Sequence, residues 1–236
     1  EEVTSQIVEK GGITFYLVLV DEAGNKWGSM YEVTEENTFV YIVTQDEAPV
    51  AQIGETKYRT LKEAVEAVGE NETITLLGNA SGDGIKVPSG KKFTLDLGGF
   101  TYEVDGETVG SPGTETNGFQ LLKGSDITIK NGKITTDKAK ILIQKYCNLT
   151  LENVTLIGGE VTQYVLSNNN GTTTLNGSTT ITAQGDNVAF DVYYWPSNGY
   201  NSVSVEIADN TVKINGKIEY AHDGSDLEGF KENAKL

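Results

Sequence analysis

The chain has 236 residues, with 18 Lys plus Arg against 34 Asp plus Glu and a formal net charge of -16. A field of that sign repels phosphate backbones and anionic lipid, which excludes nucleic acid and membrane surfaces as favoured partners. A single arginine (Arg59), histidine (His222) and cysteine (Cys147) leave no intrachain disulfide, no zinc cluster of the usual Cys/His spacing, and no His-dependent triad except through His222.

The longest apolar stretch, Phe15 to Val20, is too short to span a bilayer, so no membrane insertion is expected. The first residue is Glu1 rather than Met, which fits a mature secreted chain or an excised piece. Residues 1–46 read as a small β-rich segment. ITFYLVLV, WGSMYEV and TFVYIVT form three strands joined by turns rich in Gly, Asn and Glu. Residues 47–71 read as a junction, through EAPVAQIGET, followed by a capping helix. In TLKEAVEAV, Leu61, Ala64, Val65 and Val68 recur at helical spacing. Thr60 is the N-cap, Glu63 completes a capping box, and Gly69 is the stop.

From residue 72 to 236 an internal repeat sets the fold. Ile85 and Val87 precede Phe93 and Leu95 by eight residues. Phe119 and Leu121 precede Ile127 and Ile129 by eight, and Ile141 and Ile143 precede Leu149 and Leu151 by eight. A further apolar position follows five residues on: Phe100, Ile134 and Leu156. Looser copies pair Leu175 with Ile181 and Val205 with Val212. The middle strand keeps an apolar, Thr or Ser, apolar pattern in FTL, ITI, LTL, TTL and VSV.

One coil therefore takes about 22 residues in three short strands, and two coils carry insertions. Three short alternating strands cannot bury their apolar face alone. Stacked about 4.8 Å apart they bury a continuous column of Leu, Ile, Val and Phe. The expected fold is all-β, a right-handed single-stranded parallel β-helix. A β-sandwich would need antiparallel hairpins between neighbours, whereas these positions align by translation.

Asn131-Gly132, Asn153 and Asn176-Gly177 follow the middle strand, where a sharp corner needs left-handed backbone. Stacked Asn side chains there are expected to bond from coil to coil. The glycosylation-like triplets at Asn71, Asn79, Asn148, Asn153, Asn170 and Asn176 are read as corners and strands of the repeat rather than as acceptors. The open end of such a stack needs a cap, and the Thr60–Val68 helix supplies it at the N-terminal end. The polar C-terminal stretch HDGSDLEGFKENAKL reads as a weak cap or a truncation point.

KYRTLKEAVEAVGENETITLL followed by IKVPSGKKFTLDLGGFTYEV resembles the opening of pectate-lyase-like right-handed β-helix modules in secreted and cell-surface proteins of Gram-positive bacteria, notably gut Firmicutes. The resemblance rests on Tyr58, Thr60, Leu61, Glu63 and Ala64, on Thr73–Leu77, and on Pro88, Gly90, Lys91, Phe93–Leu97 and Gly99. It covers about residues 50–104. It implies the fold, a secreted or cell-surface location and attachment to other domains of a larger surface protein. It carries no activity, because this architecture hosts lyases, hydrolases, adhesins and modules without chemistry.

A lyase of this architecture uses carboxylates holding Ca²⁺ and an Arg or Lys base on the sheet face. Arg59 is expected in the capping helix, off the sheet, and no carboxylate cluster adjoins Lys130 or Lys145 in the sequence. Nor is there an Asp pair of hydrolase type. No catalytic residue, metal ligand or cofactor is assigned. Asp83, Asp96, Asp126, Asp186 and Asp191 read as turn and strand-end residues, two of which with carbonyl oxygens are a Ca²⁺ option. Cys147 reads as a small buried hydrophobe. His222 closes the last strand as a structural or solvated residue.

The insertion after Val192 concentrates Tyr193, Tyr194, Trp195 and Tyr200. These four are the expected ligand-binding residues, since Tyr and Trp offer flat faces and polar tips to a glycan or a host or surface protein. The alternative is that they pack over the neighbouring coil. The other insertion, Asp105–Asn117, reads as a flexible surface loop. The expected function is non-catalytic adhesion or glycan binding. The alternatives are a divergent polysaccharide lyase or glycoside hydrolase, or a structural stalk.

Overall fold

The computed structural model describes residues 14–20, 26–32, 48–194, 202–222 and 234–235. The chain divides into two compact units, Glu1–Asp46 and Glu47–Leu236. In the first unit, β1 (Thr14–Val20) pairs antiparallel with β2 (Lys26–Glu32), from Thr14↔Glu32 to Val20↔Lys26. The third expected strand, TFVYIVT, lies outside the described residues.

Among the described residues the second unit is all-β apart from one short helix. It opens with β3 (Ala51–Ile53), β4 (Thr56–Tyr58), α1 (Leu61–Ala67), β5 (Glu72–Leu76) and β6 (Ala80–Gly82). Next come β7 (Ile85–Val87), β8 (Lys92–Asp96), β9 (Thr101–Val104), β10 (Val109–Ser111) and β11 (Thr114–Leu121). The middle is built from β12 (Asp126–Thr136), β13 (Ile141–Tyr146), β14 (Asn148–Gly158), β15 (Tyr164–Asn176) and β16 (Thr180–Thr182). The chain ends in β17 (Val188–Tyr194), β18 (Val203–Ile207), β19 (Lys213–Asn215), β20 (Lys217–His222) and β21 (Ala234–Lys235).

Pairing is mostly parallel and runs in three ladders. The first joins β7, β11, β13, β15, β17 and β20. The second joins β5, β8, β12, β14, β15, β18 and β21. The third joins β6, β9, the far half of β12, the far half of β14, then β16 and β19. Strands such as β8, β12 and β14 bury alternate residues, whereas β15 and β17 are buried on both faces over residues 165–169 and 188–192, and the buried Ile, Leu, Val and Phe side chains join into one core.

The turn between the second and third ladders repeats the same backbone. Asn131, Asn153 and Gly177 have φ of 57°, 55° and 57°, the left-handed region that Asn and Gly tolerate. The expected Asn-to-Asn bonds are replaced by others that also cross between coils. Asn131 Nδ2 donates to Asp96 Oδ1 at 3.1 Å, and Asn153 Oδ1 accepts from Ser178 N at 3.1 Å.

Helix α1 starts as the residues dictate: Glu63 N donates to Thr60 Oγ1 at 3.1 Å and Thr60 N to Glu63 Oε2 at 3.2 Å. Leu61, Ala64, Val65 and Val68 are buried. The helix stops at Val68, which turns to extended backbone, rather than through a left-handed Gly69.

Five expectations about local structure change. The 47–56 junction contains a hairpin, β3 with β4, and β3 also pairs antiparallel with β5, burying Ala51. The 105–117 insertion is the β10–β11 hairpin, turned at Pro112-Gly113. Gly113 has φ 84°, as a Pro-Gly turn of this kind requires. Tyr102, not Phe100, lies level with Ile134, because Gly98 and Gly99 lengthen that corner by two residues. Ile143 lies level with Phe119 and Lys145 with Leu121, since six residues rather than eight separate Ile143 from Leu149. In the last coil Val205 lies level with Thr173, Ile207 with Leu175 and Ile214 with Ile181. Thr173 holds an inward position because its hydroxyl donates to Asn168 Oδ1 at 2.6 Å.

Candidate functional site

The first ladder carries one row of polar residues across its coils. Lys86, Gln120, Gln144, Ser167, Asp191 and Glu219 occupy one register position in β7, β11, β13, β15, β17 and β20. Neighbours in the row are therefore about 4.8 Å apart. On one side stand Ile85, Phe119, Ile143, Leu166 and Phe190, and on the other Val87, Leu121, Lys145, Asn168 and Val192, all buried. Strand alternation puts the row on the opposite face from both columns.

Hydrogen bonds join the row. Asn117 Nδ2 donates to Gln144 Oε1 at 2.8 Å, and Gln120 Nε2 to the same oxygen at 3.4 Å. Gln144 Nε2 donates to Asn169 Oδ1 at 3.4 Å, Asn169 Nδ2 to Ser167 Oγ at 3.2 Å, and Ser167 Oγ to Asp191 Oδ2 at 3.2 Å. At the far end Tyr164 OH donates to Glu219 Oε2 at 3.4 Å. Gln120, Ser167 and Asp191 are only 2%, 4% and 5% exposed, while Gln144 and Glu219 keep part of their surface open. Among the described residues, Gln120 Oε1 is the one buried side-chain polar atom without a hydrogen-bond partner.

Tyrosines flank this row. Tyr146 and Tyr193 follow Gln144 and Asp191 by two residues, which places them on the same face, and both are half-buried. Tyr164, also half-buried, stands on the other flank.

The electrostatics follow from burial. Burial pushes the Asp191 carboxyl up to about 7, the nearby Glu219 pushes the same way, and the bonds from Asn168 N–H and the Ser167 hydroxyl pull against both. The Tyr164 hydroxyl is raised, first by desolvation and then by Glu219 and Asp191. Behind the row, fully buried Lys145 sends Nζ to the carbonyls of Cys147 at 3.2 Å, Asn170 at 2.8 Å and Gly171 at 2.9 Å. Burial lowers its amine to about 7, partly offset by Cys147 and Asp191. Burial raises the Cys147 thiol to about 12.

Of the expected ligand-binding residues, Tyr193 stands beside the row and Tyr194 is 7% exposed within the core cluster. Trp195 and Tyr200 lie outside the described residues. Asp191, expected at a turn or strand end, sits buried inside β17, held by two donors from β15. Lys130 pairs with Asp96 at 3.5 Å, and Asp186 lies 4.0 Å from Lys217. Asp83 Oδ1 accepts from Glu107 N at 2.9 Å. Asp126 opens β12, His222 ends β20, and Arg59 precedes the helix N-cap. Among the described residues no three His, Cys, Asp or Glu side chains gather as a metal ligand set.

Sequence reasoning missed Gln120, Gln144 and Ser167. Their signal is a second tripeptide series, IKV, FQL, IQK, LSN, FDV and IEY, whose middle residues are the row.

The fold and this face together define an all-β, parallel-ladder protein with a tyrosine-flanked polar row. Among the described residues no helix is long and apolar enough to cross a membrane. Comparisons with protein-family models, curated proteins and solved structures found no match.

Proposed function

We propose that the chain is a right-handed parallel β-helix module of pectate-lyase-like type, carried on a secreted or cell-surface protein of a Gram-positive bacterium, and that it makes non-catalytic contact with glycans. Parallel pairing of successive coils supports the β-helix. One observation carries the glycan reading: Gln144 and Glu219 keep an amide and a carboxylate open to solvent beside the half-buried Tyr146, Tyr164 and Tyr193, over the buried Gln120, Ser167 and Asp191 of the same row. Sugars are bound by such combinations of fixed polar groups and flat aromatic faces.

The test is a glycan-array screen of the whole chain with and without Ca²⁺, beside Gln144→Ala, Tyr193→Ala and Trp195→Ala. Saturable binding lost in Gln144→Ala and Tyr193→Ala supports the row. Loss in Trp195→Ala alone moves the site to the insertion. Silence across the array leaves the stalk or a protein-adhesion role.

A second reading has its own observation. Asp191, held near 7 beside Glu219, has the protonation of a general acid next to a carboxylate. Release of reducing ends or unsaturated sugars by the wild type, abolished in Asp191→Asn, would establish a polysaccharide-acting enzyme instead.

A further inference from the structure

The apolar columns of the second unit end differently at its two ends. At the first end β3 takes the outer edge of β5, and α1 buries Leu61, Ala64 and Val65 in the core, so the opening strands are covered. At the last coil the columns run out into solvent. Ile207 is level with Leu175, Ile218 with Phe190 and Tyr220 with Val192. The inner member of each pair is fully buried, whereas Ile207, Ile218 and Tyr220 are 51%, 43% and 45% exposed. Among the described residues Val161 is the one other large apolar side chain so exposed, so the exposed apolar surface gathers at this end.

The backbone is open there too. Strand β20 pairs along one edge with β17, and β19 along one edge with β16, while β21 lies over Val203 and Ser204 of β18. Among the described residues no strand takes the outer edge of β19 or β20, and such an edge is a template for another strand.

The charges of β20 say which strand fits. It begins Lys217-Ile218-Glu219-Tyr220. An antiparallel partner of the same sequence, centred on Ile218, sets Ile218 against its own copy, Lys217 against Glu219 and Glu219 against Lys217. Centring on Glu219 instead would set two carboxylates opposite each other. Lys217 is available for the exchange, because its pair with Asp186 is long, at 4.0 Å, and solvent-exposed on both sides. We propose that this end is an interface with a second copy of the chain, formed by antiparallel pairing of the two β20 strands about a two-fold axis at Ile218, with Ile218 and Tyr220 buried in it. Each copy uses this edge once and its other end is covered, so the assembly closes as a dimer.

Analytical ultracentrifugation of the whole chain over a concentration series tests this, with thermal unfolding of every variant as the check on folding. The wild type should pass from monomer to dimer with no larger species. Ile218→Arg should be monomeric. Lys217→Glu and Glu219→Lys, each placing like charges opposite one another twice per dimer, should weaken association about tenfold. The double variant Lys217→Glu with Glu219→Lys should restore it, because the exchanged charges again meet their opposites. That rescue is the decisive readout, since loss of fold or of general stickiness would not produce it. A wild type that stays monomeric up to about 100 μM overturns the proposal. So does a dimer that survives Ile218→Arg, which places the interface elsewhere, and so does a double variant no better than the single ones. A series of growing oligomers overturns the two-fold closure.

Discussion

Asp191 and Asn168 exchange side-chain and main-chain hydrogen bonds across β15 and β17. Asp191 Oδ1 accepts from Asn168 N at 2.7 Å, and Asn168 Nδ2 donates back to Asp191 O at 2.7 Å. The exchange sits at the bulge where Lys145 is level with Asn168 but Tyr146 is level with Asn170, leaving Asn169 extra. The run Asn168-Asn169-Asn170 thus repairs a ladder that its own extra residue interrupts.

Asp191 makes stability pH-dependent. Its carboxyl titrates near 7 in the folded chain, above its ordinary value of 3.8. The folded state therefore holds the proton more tightly, and stability falls as pH rises through that window. Asp191→Asn keeps the acceptor for Asn168 N–H without the charge. Its melting temperature relative to wild type should rise between about pH 4 and pH 7 and level off above. Asp191→Ala strands that N–H and should cost about 1–3 kcal/mol.

Lys145 carries the opposite slope. Its amine is lowered from 10.5 to about 7, so the unfolded chain binds the proton more tightly, and stability lent by this residue rises with pH across that interval. Lys145→Met preserves volume but leaves three carbonyls without their donor, at a cost of about 1–3 kcal/mol. Urea unfolding at a series of pH values from about 7 to about 10 should show the wild-type advantage over Lys145→Met growing as pH rises.

Gly177→Ala should be destabilising twice over. A Cβ there would stand 2.3 Å from Asn153 Oδ1, and φ of 57° adds about 1–2 kcal/mol for an L side chain. Asn131→Gly keeps that backbone region open and should be much milder. Thermal unfolding of both variants checks the ranking.

Cys147, 3% exposed with its thiol raised to about 12, should react very slowly with a thiol reagent in the native chain and fully in denaturant. Rapid native labelling would contradict burial of the thiol.

Removing the helix cap with Thr60→Ala should cost about 1 kcal/mol. Amide exchange should show the loss first in α1.

What could be read from residues alone was whatever obeys a simple period. The Phe93–Ile127–Leu149 column and the Thr60–Glu63 cap are local patterns, and each holds. Register failed where a polar residue occupies an inward position. Lys145 and Thr173 are stabilised there by carbonyls and by Asn168, contacts that arise only once the coils stack. The row stayed hidden for a related reason. Gln120, Gln144 and Ser167 are ordinary polar residues, and only lateral alignment of separate coils brings them together.

The β10–β11 hairpin has a use in protein engineering. Val109 is level with Asn117, so the chain leaves and re-enters the fold at neighbouring points, and the Pro112-Gly113 tip adds nothing to the parallel ladders. Lengthening a loop whose ends are already held together costs little closure entropy. A foreign peptide spliced between Ser111 and Thr114 should therefore be presented on a fixed pedestal, making this tip a natural epitope-display position.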